Sequence, residues 1–516
     1  MPSNCSEFEV KLLFPKDGLK AIEKFIVAKG GIRRQHLQAA YIDTQNFLLT
    51  QAGIAFRLRK EGSQWVQTLK VSTPNPLERL EHNVVLEAVG SAIPKWMPEL
   101  HKNHESGRLL YKRFPELRSE DLRICYQTDI WRRKAFVSNH QGVIEYALDI
   151  GFIYTNLVNG VAKTIVQELE IELKEGDPLS VLRHARDMIK IHKAYIDTRS
   201  KSERGFLLAC GLQFSPPVKA KSVSIRGVKA QTEIIHLLMN SCLSQVLSNQ
   251  SVLNADFDQY SEYLHQLRIG LRRLKVLLKY LARQNILISD EGGEVFKRTF
   301  DKLGQYRDNH YIVSVLNPIL LSLGDLEIRL ASIKELPNPA LITRDKDFQL
   351  LLIELMIMGV SKTATSTKYT ESKNSKKGVG DFKKTVAKLL DTGFQFIENR
   401  IARFAVLDDE GIHAIRKKMK FVRYSLEFFK EYCSQDKYAK FFREITAALE
   451  CFGMFNDVCV AISRIDGLAQ DDQSLLHALD WLKIERQRLK TLCEKSAKKL
   501  VGAAVPWKGV HVPPLQ

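Results

Sequence analysis

The segment Glu7-Phe8-Glu9-Val10-Lys11 alternates charged and apolar side chains, which places its three charged residues on one face of a β-strand. The same period of two recurs in residues 166–174 and in shorter segments at residues 54–59, 64–71 and 143–149. Such alternation is typical of strands. Residues 1–212 are therefore predicted to form an antiparallel β-sheet, with helices near residues 18–29 and 178–190.

After a short basic linker at residues 213–228, the apolar residues repeat with the 3.6-residue period of helices. The segment that begins at His265 is matched 148 residues later by the segment that begins at His413. Segments 303–308 and 452–457 match in the same way. An all-α domain is therefore predicted at residues 229–505, with two repeats at about 229–358 and 381–505. The polar, Lys-rich segment 361–380 between them is expected to be a mobile loop.

The composition favours an anionic partner. Lys and Arg number 77 against 59 Asp and Glu, which gives a formal net charge of +18. Nucleic acid, anionic lipid and phosphate chains all fit such a charge. No zinc finger or RNP-like strand supports nucleic-acid binding, which is therefore disfavoured.

The cysteines and apolar segments favour a cytoplasmic protein without a membrane segment. The eight cysteines include no C-x-x-C pair, as expected of reduced thiols. The first residues lack the basic and apolar regions of a signal peptide. The most apolar stretch, residues 348–358, is too short to span a bilayer and contains Glu354.

The charged strand faces have two possible interpretations. On a single strand, a charged face is most simply the solvated side of a half-buried sheet. If several such faces converge inside a closed barrel, their carboxylates would bind Mg²⁺ or Mn²⁺, and Arg and Lys opposite them would bind a phosphate chain. Metal-dependent phosphoryl transfer requires this arrangement.

The ordered set of these segments resembles CYTH domains, the triphosphate tunnel metalloenzymes, whose ExExK signature matches Glu7, Glu9 and Lys11. The resemblance covers about residues 5–210 and implies an eight-stranded tunnel. It implies substrate-binding residues Lys11, Arg57, Arg59, Lys70, Arg132 and Lys201. It implies metal ligands Glu7, Glu9, Glu168, Glu170, Asp149 and Glu172, and catalytic roles for Glu7, Glu9, Lys11 and Lys201. A register slip of one residue would exchange Arg132 for Arg133, so that choice stays open.

Two helices carry matching basic stripes. Steps of three and four residues align His265, Arg268, Arg272, Lys275 and Lys279 on one helix, and His413, Arg416, Lys420 and Arg423 on the other. A single stripe of this kind is most simply a solvated face, but this one occurs twice. Both stripes resemble the CHAD domain, a helical module often found behind a CYTH domain and associated with polyphosphate binding.

The predicted fold class is α+β: an N-terminal antiparallel eight-stranded β tunnel with flanking helices, followed by an all-α duplicated helical bundle. The predicted activity is Mg²⁺- or Mn²⁺-dependent hydrolysis of inorganic triphosphate to pyrophosphate and phosphate, with polyphosphate bound by the helical domain. Thiamine-triphosphatase, nucleoside-triphosphatase and adenylate-cyclase-like activities stay open, because ExExK is shared by all of them. A non-catalytic polyphosphate-binding protein is a further alternative.

Overall fold

A computed structural model describes residues 6–87, 92–157, 160–255, 260–311, 316, 318, 336–361, 379–466 and 473–508. The chain divides into two compact units. The first contains residues 1–219, 243–267 and 340–361, and the second contains residues 220–242, 268–339 and 362–516. The predicted domain boundary thus differs from this division, because two helical segments pack within the first unit. Residues 362–378 of the predicted loop lie outside the described residues.

The first unit is built on an antiparallel barrel. Its strands are β1 (Ser6–Leu13), β2 (Arg34–Thr44), β3 (Ile54–Glu61), β4 (Gln64–Ser72), β5 (Glu78–Leu86), β6 (Leu122–Asn139), β7 (Gly142–Leu157), β8 (Gly160–Gly176) and β9 (Tyr195–Ile196). They lie in the order β5-β4-β3-β2-β6-β7-β8-β1, and β1 also pairs with β5, which closes eight strands into a barrel. The short strand β9 pairs with β1 as well. The predicted eight-stranded barrel is confirmed.

Both faces of strand β1 are buried. Along β1, the apolar residues Val10 and Leu12 are 1% and 0% exposed, while Glu7 and Lys11 on the other face are only 9% and 6% exposed. The interpretation of the charged faces as a solvated surface is therefore wrong for this barrel. The charged side chains of β1 line the barrel interior, and its apolar side chains Val10 and Leu12 are buried on the outer face.

Five helices of the first unit follow or flank the strands: α1 (Leu19–Ala28), α2 (Leu48–Gln51), α3 (Glu105–Arg113), α4 (Pro178–His192) and α5 (Lys201–Ala209). Helix α4 begins at a proline behind Asp177, whose side chain accepts the Leu179 N–H, a normal N-terminal cap. Its buried residues include Val181, Leu182 and Ala185.

The described residues after α5 are mainly helical. The helices are α6 (Gln231–Leu253), α7 (Ser261–Ala282), α8 (Asp290–Tyr311), α9 (Pro339–Thr343), α10 (Lys346–Val360), α11 (Val379–Ile401), α12 (Asp409–Phe428), α13 (Gln435–Asp466) and α14 (Gln473–Val501). The matched segments found in the sequence lie on α7 and α12 and on α8 and α13. Aromatic contacts stabilise the core of the second unit, such as Tyr280 stacked on Phe421 with centroids 5.7 Å apart.

Two observations bear on membranes and thiols. Among the described helices, α13 is the one that is long and apolar enough to cross a membrane, with a mean hydropathy of 1.5 over its best window. By itself this is weak evidence, since core helices of soluble proteins pass the same test. The apolar stretch 348–358 lies in α10, where Phe348, Leu352 and Leu355 are completely buried. The seven described cysteines are free thiols.

Candidate active site

Three carboxylates meet inside the barrel. Asp149 on β7 is the register partner of Glu168 on β8, and Glu170 follows two residues later on the same face. Each offers one oxygen, and these three oxygens lie within 4.8 Å of one another. Asp149 and Glu168 are fully buried. We call these three residues the carboxylate cluster. Clustered carboxylate oxygens are the donors that Mg²⁺ and Mn²⁺ prefer, so the residues present fit a hard divalent cation.

Lys201 lies at the centre of the carboxylate cluster. Its Nζ is 2.6 Å from Asp149 Oδ2, 2.5 Å from Glu168 Oε1 and 2.8 Å from Glu170 Oε1. The side chain reaches this position because Lys201 is the first residue of α5, where the Ser200 side chain accepts the Glu203 N–H as N-cap. The ammonium supplies a positive charge to all three carboxylates. Those ion pairs raise the pKa of Lys201 against the opposing effect of burial.

Three further cations hold the carboxylate cluster in its ionised form. They are Lys11, Arg132 and Arg204, and the Arg132 guanidinium donates to Asp149 at 2.5 Å and to Glu170 at 2.7 Å. Burial alone would raise the pKa of Glu168, but Arg204, Lys11 and Lys201 lower it to about 2. Burial opposes the same effect at Glu170, whose pKa is nonetheless well below its ordinary value because of Lys201 and Arg132. Both glutamates are therefore anionic at any physiological pH.

A second group of acidic residues surrounds Lys70. Its Nζ lies 2.5 Å from Glu7 Oε2 and 3.0 Å from Glu81 Oε2. Burial, with repulsion from Glu9 and Glu81 and against the attraction of Lys70, raises the pKa of Glu7 to about 8. Glu9 pairs with Arg79 at 3.3 Å. Crowded negative charge of this kind would also be relieved by an added cation.

The arginines of the barrel form its positive part. Arg57 donates to the Tyr41 hydroxyl at 3.4 Å, and Arg59 donates to Glu61 at 2.6 Å. Burial and repulsion from Arg57 and Arg132 lower the pKa of Arg59, which shows that the positive charges of the three arginines lie close together. A buried group of guanidinium ions is a suitable site for a multiply charged anion such as a phosphate chain.

The structure thus places the predicted tunnel residues inside one barrel but sorts the predicted metal ligands into two sets. Within the described residues, Asp149, Glu168 and Glu170 form the one group of three or more such side chains close enough to hold a metal ion together. Glu7 and Glu9 lie on β1, and Glu172, the register partner of Glu9, pairs with Lys174 at 2.6 Å. Of the two adjacent arginines, Arg132 contacts the carboxylate cluster.

Other charged residues of the barrel were not among the predicted site residues. Arg133, the alternative to Arg132, donates to the Ile32 carbonyl at 2.5 Å and lies outside the carboxylate cluster. Arg79 and Glu81 are inside the site, and their alternation on β5 is a sequence signal that could have indicated them. Arg204 has a weaker signal, because it lies on a helix and not on a strand.

A second set of charged residues lies in the second unit. Arg268 and Arg272 on α7, Arg307 on α8, and Arg416 and Lys420 on α12 all influence one another electrostatically. We call these five residues the basic cluster. Burial and repulsion from four arginines lower the pKa of Lys420 to about 5. The fold thus holds these basic side chains close together despite their mutual repulsion, as expected of an anion site.

The absence of a side chain at Gly304 leaves space for Arg268 of the basic cluster. A Cβ atom on Gly304 would lie 3.2 Å from Nη1 of Arg268, which donates to the Leu303 carbonyl at 2.5 Å. The matched Gly453 faces Arg416, with the corresponding distance 3.9 Å. The close approach of Arg268 accounts for the glycine at position 304, whereas 3.9 Å at Gly453 is an ordinary contact distance.

The other predicted stripe residues have different surroundings. Lys275 and Lys279 are exposed, and Arg423 pairs with Glu427 at 2.9 Å. His413 shares a hydrogen bond of 2.5 Å with Asn456, and His265 lies on α7 three residues before Arg268. Arg307 was not predicted, although it lies in the matched segment 303–308. It pairs with Asp457 of the other matched segment at 2.9 Å.

Two family models match separate parts of this chain. Residues 6–206 match the CYTH domain family model, and residues 237–466 match the CHAD domain family model. The inorganic triphosphatase of Haemophilus influenzae is 24% identical over 208 residues, which are 39% of this chain and 54% of that protein. This chain therefore spans about half the length of that curated relative.

Among solved structures, the CHAD domain from the plant Ricinus communis matches with 21% identity and a TM-score of 0.44, covering 56% of this chain and 98% of that one. A putative adenylyl cyclase from Hippeastrum, described as having a dominant triphosphatase activity, has 14% identity and a TM-score of 0.28, covering 40% of this chain and 97% of that one. Together the two family matches identify this chain as a two-domain protein of the CYTH–CHAD architecture.

Proposed function

We propose that this protein hydrolyses inorganic triphosphate to pyrophosphate and phosphate inside the barrel, with Mg²⁺ or Mn²⁺. The observation that carries the proposal is the arrangement of opposite charges in one buried tunnel. The carboxylate cluster can hold the metal, and Arg57 and Arg59 can hold the phosphate chain. The match to an inorganic triphosphatase supports the choice of substrate.

Each part of the site has a chemical task. A bound divalent cation would supply charge neutralisation for the phosphate oxygens and would lower the pKa of a water molecule. Arg57, Arg59 and Arg132 would orient the chain by paired N–H···O hydrogen bonds. Lys11 and Lys201 can donate hydrogen bonds to phosphate oxygens that gain negative charge during cleavage. A water molecule is the proposed nucleophile.

Polyphosphate binding by the helical domain is the second part of the proposal. The basic cluster brings together four arginines and Lys420 from three helices, and burial with repulsion from the arginines keeps Lys420 mostly neutral near pH 7. An anion with several charges would remove this repulsion. A chain with a charge on every phosphate unit fits a cluster of this kind and would bind with a steep salt dependence. A cytoplasmic location, where such chains and divalent cations are both accessible, completes the proposal.

A panel of substrates tests the activity. Phosphate release from the full chain is measured with inorganic triphosphate, longer polyphosphate, ATP and thiamine triphosphate, each with Mg²⁺ or Mn²⁺. We expect the highest kcat/KM for inorganic triphosphate and no release when the metal is chelated. A higher kcat/KM for ATP or thiamine triphosphate would assign the tunnel to an organic substrate instead.

A further inference from the structure

Four polar side chains are buried where the helices of the first unit contact the barrel. Gln250 and Ser251 on α6 and Gln349 on α10 are 0% exposed, and Asn254 just after α6 is 2% exposed. Burial of an amide or a hydroxyl is unfavourable unless its hydrogen bonds are made. The hydrogen-bond partners of these four side chains therefore indicate their role.

Their partners include backbone groups of β9 and the residues that follow it. Gln349 Oε1 accepts the Ile196 N–H at 2.8 Å, and Gln250 Nε2 donates to the Ile196 carbonyl at 2.8 Å. Ser251 Oγ accepts the Thr198 N–H at 2.9 Å. Gln250, Ser251 and Gln349 lie in the residues matched by the CHAD family model, whereas β9 lies in those matched by the CYTH model. All of these residues belong to the first compact unit.

The backbone segment held in this way bonds to one cation of the tunnel, Lys11, and leads into another, Lys201. The Asp197 N–H donates to the Lys11 carbonyl at 3.0 Å, and Lys11 Nζ donates to the Arg199 carbonyl at 3.2 Å. Ser200 then caps α5, whose first residue is Lys201. Residues 196–201 thus form a short connection, from the buried amides of the helices to the ammonium at the centre of the carboxylate cluster.

We propose that Gln250, Ser251 and Gln349 are positioning residues for Lys201 and Lys11. The inference rests on the proposed triphosphatase function. It implies that helices outside the barrel sequence complete the tunnel, because they fix the backbone from which Lys201 extends. Displacement of a reacting group by about 1 Å can lower a rate about a hundredfold, so a small shift of this segment has a measurable effect.

A purely structural role would predict a different outcome, and the same helix offers a comparison. Gln245 on α6 is 1% exposed and donates to Gln266 Oε1 at 3.1 Å, a bond within the helices. Gln245→Met removes a buried amide from this helix without removing a bond to residues 196–198. Gln349→Met is the matching change at the barrel, since methionine has nearly the shape of glutamine.

The experiment uses the full chain and compares Gln349→Met and Ser251→Ala with Gln245→Met. Thermal unfolding records the general loss of stability. Steady-state hydrolysis of inorganic triphosphate gives kcat and KM, and mass spectrometry measures how fast an amine reagent labels Lys201. We expect kcat to fall at least about fivefold in both barrel-side variants, because each loses a buried hydrogen bond to the backbone of Ile196 or Thr198. Lys201 labelling should rise about threefold, and Gln245→Met should change neither quantity.

The readouts separate this proposal from the proposed function. If kcat and Lys201 labelling in the barrel-side variants equal those of Gln245→Met, the positioning role is refuted. It is refuted as well if labelling rises while kcat stays unchanged. A wild-type chain that releases no phosphate would contradict the proposed function, and Lys201 labelling would then decide alone whether the helices hold this segment.

Discussion

Lys420 is expected to take up a proton when polyphosphate binds. In the free protein, burial and the repulsion of Arg272, Arg416, Arg307 and Arg268 lower its pKa to about 5. The amine is therefore only about 1% charged at pH 7, and charging it there costs about 2.7 kcal/mol, at about 1.4 kcal/mol for each pKa unit. A bound phosphate chain neutralises the arginines and accepts a hydrogen bond from the ammonium, which raises this pKa.

The sign of the pH dependence follows directly. Because the complex binds one more proton than the free protein, affinity increases as the pH falls toward 5. Between the pKa of Lys420 in the free protein and its pKa in the complex, the apparent Kd should fall about tenfold for each unit by which the pH is lowered. Titration calorimetry in two buffers of different protonation enthalpy should give an uptake of about one proton at pH 7.

Two variants separate Lys420 from other groups. His413, whose pKa is lowered by burial and by Lys417, titrates in the same direction, so the wild-type uptake must be compared with Lys420→Met. Lys418→Met is the matched control, because it removes another lysine from the same helix that is not among the causes of the lowered pKa of His413 or Lys420. An uptake that is equal in the wild type and in Lys420→Met, with a flat Kd between pH 8 and 6, would refute this explanation.

Three further outcomes are expected. In steady-state kinetics, Arg59→Ala should raise the KM for inorganic triphosphate at least about tenfold, because a charged phosphate contact is lost, while Arg133→Ala, outside the tunnel, should leave the KM unchanged. Equal effects of the two variants would contradict the assignment of Arg59 to substrate binding. In electron paramagnetic resonance titrations without substrate, Lys201→Met should lower the Kd for Mn²⁺ about tenfold, because the ammonium that competes for the carboxylate cluster is removed. An unchanged Kd would place the metal elsewhere. Gly304→Ala should weaken polyphosphate binding severalfold, because its Cβ would lie 3.2 Å from the Arg268 guanidinium and displace it, whereas Gly293→Ala on the same helix, with its first neighbour at 4.0 Å, should not. Equal Kd values of the two variants in titration calorimetry would show that Arg268 does not contribute in this way.

The strands could be predicted from the sequence because alternation identifies them locally. Glu7, Glu9 and Lys11 share a face whether that face is solvated or enclosed. Closure of the barrel depends on the pairing of β1 with both β5 and β8, which joins segments far apart in the chain. Periodicity carries no information on such pairings, and the family resemblance supplied it.

The sequence was less informative where function depends on contacts between distant segments. Lys201 reaches Glu168 across 33 residues, and Gln349 reaches Ile196 across 153. A buried glutamine on a helix looks like any polar residue until its partner is known. Arg307 illustrates the same difficulty, since its position in a matched segment gave no indication that it faces the stripes on two other helices.

Hydrolysis of inorganic triphosphate at the carboxylate cluster is tested most directly by phosphate release from Glu170→Gln at saturating Mn²⁺. The control is Glu175→Gln, which removes an exposed carboxylate from the same strand. We expect kcat of Glu170→Gln to fall at least about a hundredfold with the fold intact, because a metal-binding charge is lost, and kcat of the control to stay within about twofold of the wild type. Turnover of Glu170→Gln close to that of the wild type would contradict catalysis at this cluster.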